Sequence, residues 1–180
     1  MKLTWFAGTT IRLYIGGQIL VADADHSPAF VDRRELVSGA DRVFALAGDA
    51  ANLPPLVPTG WRPRALPKIV DEAATLPDVI LHRIGEGAVL VDASGEPPAV
   101  LIAGSRRPKF GRWADGAVVV LFGKADAMIA TGRELLEAAR PRLIALAAEE
   151  AELDAAVHAL RTGLGGIPLI SLEPGLALEV

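Results

Sequence analysis

The stretch Val43-Phe44-Ala45-Leu46-Ala47-Gly48-Asp49-Ala50-Ala51-Asn52 decides how the chain is interpreted. Its first four residues are apolar and read as a buried strand, while Gly48 and Asp49 are typical of a turn or loop. A loop that follows a rigid strand is a common place for functional residues. The strand recurs later in the chain, because Arg142-Leu143-Ile144-Ala145-Leu146-Ala147 matches Arg42–Ala47 at an offset of 100 residues.

Three further pairs of segments repeat in the same order. Residues 99–105 resemble residues 3–9, residues 118–120 resemble residues 19–21, and residues 172–178 resemble residues 84–90. Short apolar strings recur by chance, but four ordered pairs with similar offsets indicate an internal repeat. We therefore expect a single domain over residues 1–180, built from two half-repeats at about 1–96 and 97–180 and related by an approximate twofold axis.

The remaining segments predict strands interleaved with helices. Strands are expected at 2–6, 11–15, 18–23, 42–46, 79–84 and 88–92, and short helices at 32–38 and 67–75. Thr131 and Glu134 fit a capping box that would start a helix ending near Arg140. The acidic run at 149–152 suits the start of another helix, which Gly163 would end. This alternation predicts an α/β domain with mixed sheets.

Composition excludes several classes of protein. The chain has 180 residues, 51% of them hydrophobic, a net charge of -4 and no cysteine, so disulfides and thiolate metal sites are excluded. The acidic balance argues against nucleic-acid binding, and no apolar run is long enough to cross a membrane. We expect a cytoplasmic protein with no signal peptide, whose apolar content suits an interface with a second copy or a protein partner.

The order of these elements resembles a known family. Residues 1–13, MKLTWFAGTTIRL, look like the opening strand pair of metallo-β-lactamase-fold hydrolases, in particular the L-ascorbate-6-phosphate lactonase-like branch, which commonly begins KLTWLGHSTFRL. Residues 18–23 are similar to the second strand of that branch, 42–52 occupy the place of its VLLTHGHSDH motif, and 172–180 resemble its closing strand. The resemblance implies an αββα sandwich of two pseudo-symmetric halves with mixed β-sheets.

The metal ligands that the resemblance implies are mostly missing. If Gly48 is aligned with the glycine of the family motif, Ala47 and Asp49 fall where the first two histidines would be. Ala51 falls at the aspartate and Asn52 at the last histidine, and Gly8 falls at the histidine of GHS. One carboxylate does not hold zinc against water, so we predict no metal and no cofactor. Zinc belongs only to an alternative in which the ligands have been redistributed.

Weak candidates for catalysis are five titratable residues: Asp23, Asp25, His26, Asp49 and Asp126. The first three form a dense cluster at a predicted strand end, where they could act as acid, base or ligand, but ordinary turn chemistry before Pro28 also explains them. Asp126 follows the predicted strand at 118–122 and could join Asp49, or it could simply begin a helix.

A basic and aromatic cluster lies in the second half of the chain. It consists of Arg106, Arg107, Lys109 and Arg112 with Phe110 and Trp113. Such a cluster could hold an anion or contact a partner, and its alternative is a solvated loop with Trp113 packed against the domain.

Three hypotheses follow from these patterns. The first is a metal-free, non-catalytic binding or interaction module with a divergent metallo-β-lactamase fold. The second is a metal-dependent hydrolase with a rearranged acidic site. The third is a subunit that lends structure to a partner enzyme, through the loop at residues 106–113.

Overall fold

A computed structural model describes residues 1–46, 53–64, 79–104 and 106–180. Its first sheet has five strands in the order β11-β1-β2-β3-β4. The strands are β1 (Lys2–Ala7), β2 (Thr10–Ile15), β3 (Gln18–Ala22), β4 (Arg42–Phe44) and β11 (Ala177–Glu179). Neighbours are antiparallel except for β3 and β4, which are parallel and pair Val21 with Val43.

The second sheet has six strands in the order β10-β9-β8-β7-β6-β5. The strands are β5 (Val79–Gly85), β6 (Ala88–Ala93), β7 (Ala99–Ala103), β8 (Val118–Phe122), β9 (Leu143–Ala147) and β10 (Leu169–Ser171). Strands β7 to β10 are parallel, whereas β5 and β6 add an antiparallel hairpin at one edge. Strands β6 to β9 are buried at every residue, as is usual for central strands that are covered on both faces.

The two sheets pack face to face through one hydrophobic core. That core joins residues such as Leu3, Leu13 and Leu20 of the first sheet to Leu101 and Val120 of the second. Two smaller cores cover the outer faces, one beneath the helices that follow β8 and β9 and one around Val21 and Leu36. The prediction of an α/β domain with mixed sheets is confirmed.

Three α-helices lie in the described segments: α1 (Arg33–Val37), α2 (Ala125–Ala138) and α3 (Glu150–Leu160). The predicted capping box at Thr131 is wrong, because α2 begins six residues earlier and Thr131 is buried in its interior. The N-cap of α2 is Lys124, whose side chain makes no capping hydrogen bond. The sequence therefore has no typical N-cap residue that marks the start of this helix. None of the helices in the described ranges is long and apolar enough to span a membrane.

The half-repeat boundary does not coincide with the division between sheets. Strands β5 and β6 precede residue 97 but belong to the second sheet, while β11 comes from the second half and joins the first sheet. Two of the repeated segments do have similar surroundings, since β4 lies parallel to β3 and β9 lies parallel to β8. The approximate twofold axis itself stays a prediction. The short helix expected at 67–75 lies outside the described residues.

Candidate active site

A cleft of about 830 Å³ opens at the carboxyl ends of the parallel strands of the second sheet. Its lining includes Ala103, Phe122, Ala147 and Ser171, which are the last residues of β7, β8, β9 and β10. In α/β folds, ligands bind beyond this end of the strands, because the loops there are free to carry functional groups. The volume lies in the range of small-molecule sites.

Most of the cleft wall is apolar. Trp5, Phe122, Leu153 and Leu172 contribute large side chains, and Phe30 stands at the cleft with 75% of its surface exposed. An aromatic side chain so exposed beside an apolar cleft gives a ligand a hydrophobic surface to cover.

Two glycines keep the mouth of the cleft open. Gly104 and Gly123 directly follow β7 and β8, and both have a positive φ, of 96° and 108°. Glycine adopts that conformation without steric cost, so the chain turns sharply where the strands end. A Cβ at either position would meet nothing within 4 Å, so the space in front of both strands is open.

The charged lining is predominantly acidic. Among the residues that the structure describes, it contains the carboxylates of Glu149, Glu150, Glu152 and Glu173 and one cation, Lys124. Lys124 Nζ lies 3.0 Å from Glu152 Oε1, and Glu152 Oε2 accepts the Ala125 N–H at the start of α2. The pKa of the Glu152 carboxyl is lowered, chiefly by the backbone hydrogen bond from Ala125 and then by that from Lys124. The same Glu152 carboxylate raises the pKa of Lys124.

A hydroxyl and a buried carboxylate meet beside the cleft. Thr9 lines the cleft, and its hydroxyl donates a hydrogen bond to Asp23 Oδ2. Asp23 is only 4% exposed, and its Oδ1 accepts the N–H of Leu46 at 2.9 Å. The Thr10 hydroxyl donates to the backbone oxygen of Asp23 at 3.1 Å, on the buried side of the same turn.

Asp23 is also held in an unusual backbone conformation. Its φ of 50° and ψ of 42° lie in the left-handed region, which aspartate tolerates better than most residues. Its N–H donates to the Phe44 carbonyl at 2.8 Å, so the residue ties the end of β3 to β4. Backbone conformations of this kind persist where several contacts fix them, and they are common at functional sites.

The structure separates the other predicted site residues. Asp25 is exposed and forms an ion pair with Arg33, and His26 is exposed beside it, so both fit the turn interpretation. Asp126 is exposed in the first turn of α2, as the helix-start interpretation predicts. Asp49 lies outside the described residues. In the described part of the chain, no three His, Cys, Asp or Glu side chains are grouped to hold a metal ion.

The basic and aromatic cluster is largely occupied by contacts within the chain. Arg106 pairs with Glu86, Arg107 with Glu134 and Arg112 with Asp115. Trp113 is 2% exposed, stacks with Phe110 and donates its indole N–H to the Lys109 carbonyl, as expected of a packed residue. An anion-binding or partner-binding role for Arg106, Arg107, Lys109 and Arg112 stays a prediction.

Sequence reasoning missed Thr9 and the residues that surround the cleft. Each of them follows a strand end: Thr9 comes after β1, Lys124 after β8 and Glu149 after β9. For Lys124 and Glu149 the available signal was this shared position, since polar residues after parallel strands meet at one edge of a sheet, whereas Thr9 follows an antiparallel strand of the first sheet and had no such signal.

No protein-family profile matches the chain, and no curated protein matches it. Among solved structures, the chain is similar to isothiocyanate hydrolase from Delia radicum gut bacteria, with a TM-score of 0.52 and 13% sequence identity over 99% of both chains. At that identity the likeness concerns the fold alone.

These comparisons correct two predictions made from the sequence. The assignment to the metallo-β-lactamase fold and its lactonase-like branch has no support from any family profile or curated relative, and we withdraw it. The interpretation as a non-catalytic binding module depended on that assignment and on its missing ligands, whereas the solved structure named above, which has a similar fold, is that of a hydrolase. The chain shares its mixed-sheet α/β fold with that enzyme.

Proposed function

We propose that the chain is a hydrolase that acts on a small apolar electrophile bound in the cleft. The observation that carries this proposal is the pair of Thr9 and Asp23, a polarised hydroxyl beside a cavity whose wall is mostly apolar. The shared fold with an isothiocyanate hydrolase supports it and suggests isothiocyanates as the first substrates to test.

The geometry of the pair suggests how water is activated. Because the Thr9 hydroxyl gives its hydrogen to Asp23, its oxygen can only accept a hydrogen bond from a molecule in the cleft. A water molecule that donates to Thr9 would turn a lone pair towards the bound electrophile. As this water attacks, it would pass a proton through the Thr9 hydroxyl to the Asp23 carboxylate, which acts as the general base.

With an isothiocyanate, R–N=C=S, the reaction balances without a further reactant. The water oxygen adds to the central carbon, the carbon–nitrogen bond breaks, and both water hydrogens end on nitrogen. The products are the amine R–NH2 and carbonyl sulfide. The apolar walls exclude bulk water and hold the R group in place.

We propose further that this reaction needs no metal ion. The support is the absence of any metal-binding group of His, Cys, Asp and Glu in the ranges that the structure describes. Elemental analysis of purified protein, together with turnover before and after dialysis against EDTA, tests this statement. Stoichiometric zinc, with activity lost on its removal, would contradict it.

Two neighbouring threonines provide a matched test of the water-activation step. Thr9→Val removes the hydroxyl of a residue that lines the cleft, and Thr10→Val removes a buried hydroxyl that donates to the backbone of the same aspartate. General base catalysis contributes about 10²- to 10⁴-fold, so we expect Thr9→Val to lower kcat about 100-fold. Thr10→Val should leave kcat within about twofold, although it costs about 1 kcal/mol of stability.

The readout is release of the amine from phenethyl isothiocyanate, followed at saturating substrate with each variant shown to be folded by circular dichroism. Equal loss of activity in the two variants would mean that the hydroxyls act only through the structure of the turn. Undiminished activity in Thr9→Val would refute the proposed role of Thr9.

A further inference from the structure

Trp5 connects the core of the domain to the rim of the cleft. Its side chain is 3% exposed and packs in the core between the two sheets, and the residue also lines the cleft. The indole nitrogen donates a hydrogen bond to the Gly8 carbonyl at 3.0 Å, in the turn between β1 and β2. The Trp5 carbonyl accepts the Gly175 N–H at 2.7 Å, which attaches the loop after β10 to the same residue. Two of the turns that border the cleft are therefore attached to one buried residue.

The hydrogen bond to Gly8 controls the orientation of the residue that follows it. The Gly8 carbonyl and the Thr9 nitrogen belong to one planar peptide group, so a fixed carbonyl oxygen also fixes the plane from which Thr9 begins. Gly8 has a φ of 53°, and a glycine can leave that conformation at little cost. The pairing of β1 with β2 is also irregular between Trp5 and Ala7, just before the turn. The strand pairing therefore constrains this turn less than a regular hairpin would, and the indole adds a constraint.

Thr9 is held from two directions. Its hydroxyl donates to Asp23 Oδ2, and the carbonyl that precedes it accepts from Trp5. The bond to Asp23 sets the direction of the hydroxyl hydrogen, while the peptide plane sets where the backbone places the side chain. A water molecule that donates to the Thr9 oxygen needs both, because proton transfer requires hydrogen-bond contact between the groups.

We propose that Trp5 is a positioning residue for the hydrolysis, whose indole N–H holds the turn so that the Thr9 hydroxyl can receive a hydrogen bond from the attacking water. This inference rests on the proposed function. Because the indole N–H is used by Gly8, Trp5 acts through Thr9, and loss of the N–H should lower kcat and leave KM nearly unchanged. A misplacement of about 1 Å can cost about 100-fold in rate, and we expect the smaller displacement in Trp5→Phe to lower kcat about tenfold.

Trp113→Phe is a matched control for Trp5→Phe. Trp113 is 2% exposed, and its indole nitrogen also donates to a backbone carbonyl at 3.0 Å, that of Lys109, but Trp113 is absent from the lining of the cleft. Each variant loses one indole–carbonyl hydrogen bond, so urea unfolding should show similar losses of stability. Trp113→Phe should keep kcat within about twofold of wild type, because distant sites act independently. Equal losses of kcat in the two variants, or a raised KM at unchanged kcat in Trp5→Phe, would overturn the inference.

The double variant Trp5→Phe/Thr9→Val shows whether the indole acts through Thr9. If it does, Trp5→Phe should have almost no further effect on kcat once the hydroxyl is gone, because the two changes are coupled. A further loss of about tenfold in the Thr9→Val background would contradict the positioning role. Benzothienylalanine in place of Trp5, which exchanges the indole N–H for sulfur and keeps the ring size, gives the same test if Trp5→Phe does not fold.

The effect on Thr9 can also be measured without a substrate. The NMR coupling between Hα and Hβ of Thr9 reports its χ1 rotamer, and we expect one rotamer in the wild type and in Trp113→Phe but a mixture in Trp5→Phe. An unchanged coupling in Trp5→Phe, or hydrolysis as fast as that of wild type, would refute the positioning role and leave the proposed function intact. A mixture of rotamers in Trp5→Phe, with no hydrolysis of any isothiocyanate by the wild type, would refute the proposed function and leave the role of Trp5 in holding Thr9.

Discussion

Replacement of Asp23 tests how strongly one buried side chain fixes the turn beside the cleft. Asp23→Ala leaves the Leu46 N–H and the Thr9 hydroxyl without their acceptor. An unsatisfied buried donor costs about 1–3 kcal/mol, and the half-buried Thr9 hydroxyl costs less because it can turn to solvent. A left-handed alanine adds about 1–2 kcal/mol of backbone strain. Together these effects predict that the free energy of unfolding falls by about 2–5 kcal/mol.

Two companion variants separate the side chain from the backbone. Asp23→Gly removes the same acceptor but tolerates the φ of 50°, so it should be about 1 kcal/mol more stable than Asp23→Ala. Asp23→Asn keeps one oxygen acceptor and tolerates the left-handed conformation, so it should lose only about 1–2 kcal/mol, while losing the carboxylate that receives the proton.

Urea unfolding followed by circular dichroism measures these differences in the free energy of unfolding, provided that the variants share the m-value of wild type. The expected order of stability is wild type, Asp23→Asn, Asp23→Gly and Asp23→Ala. Asp23→Ala within about 0.5 kcal/mol of wild type, the usual effect of a surface change, would refute the reasoning, as would equal stability of the alanine and glycine variants.

Three further predictions concern the helices and the mouth of the cleft. In Gly132→Ala the new Cβ would lie 2.8 Å from Leu160 Cδ2, so we expect urea unfolding to show about 1 kcal/mol of destabilisation despite the higher helix propensity of alanine. Made in a Leu160→Ala variant, which lacks the contacting methyl groups, the same change should no longer destabilise the protein, and an unchanged cost there would contradict the steric explanation. Because the pKa of Glu152 is lowered in the folded protein, its carboxylate contributes stability that is present above the unfolded pKa of 4.5 and is lost as pH falls through the folded pKa. The thermal unfolding temperature of Glu152→Gln should therefore depend less on pH below 4.5 than that of wild type, and an unchanged dependence would contradict this. Phe30→Ala should raise KM for apolar substrates several-fold with little effect on stability, because 75% of the side chain is exposed; an unchanged KM would place Phe30 outside the binding surface.

Strands were the part of the fold that sequence could predict. Apolar runs bounded by glycine marked β2, β3 and β6 closely, since a strand buried on one or both faces must be apolar at fixed spacing. Helix α2 was placed too late because its start has no side-chain cap, and a polar Thr131 in the helix interior imitated one. The pairing of β5 and β6 with the second sheet depends on contacts between distant segments, which periodicity alone does not encode.

The candidate site was harder to predict for a physical reason. Its lining comes from six separate segments, and the parallel arrangement of β7 to β10 brings only four of them to one edge of the second sheet, while the β1–β2 turn and Phe30 lie outside that sheet. Asp23 was one of the candidates predicted from the sequence, but the cluster of Asp23, Asp25 and His26 divides into one buried and two exposed side chains. The partner of Asp23 is Thr9, fourteen residues away on the adjoining turn, and no local motif connects them.

The central claim, that the cleft is where a substrate is hydrolysed, is tested most directly by filling the cleft. Ser171 lines it and is exposed at the end of β10, whereas the neighbouring Ile170, 36% exposed, is absent from its lining. Wild-type protein should hydrolyse phenethyl isothiocyanate faster than buffer alone does. Ser171→Trp should lower kcat/KM about tenfold or more, which corresponds to about 1.4 kcal/mol, and Ile170→Trp should leave kcat/KM within about twofold of wild type. Equal rates in Ser171→Trp and wild type, or no turnover by the wild type at all, would contradict the account.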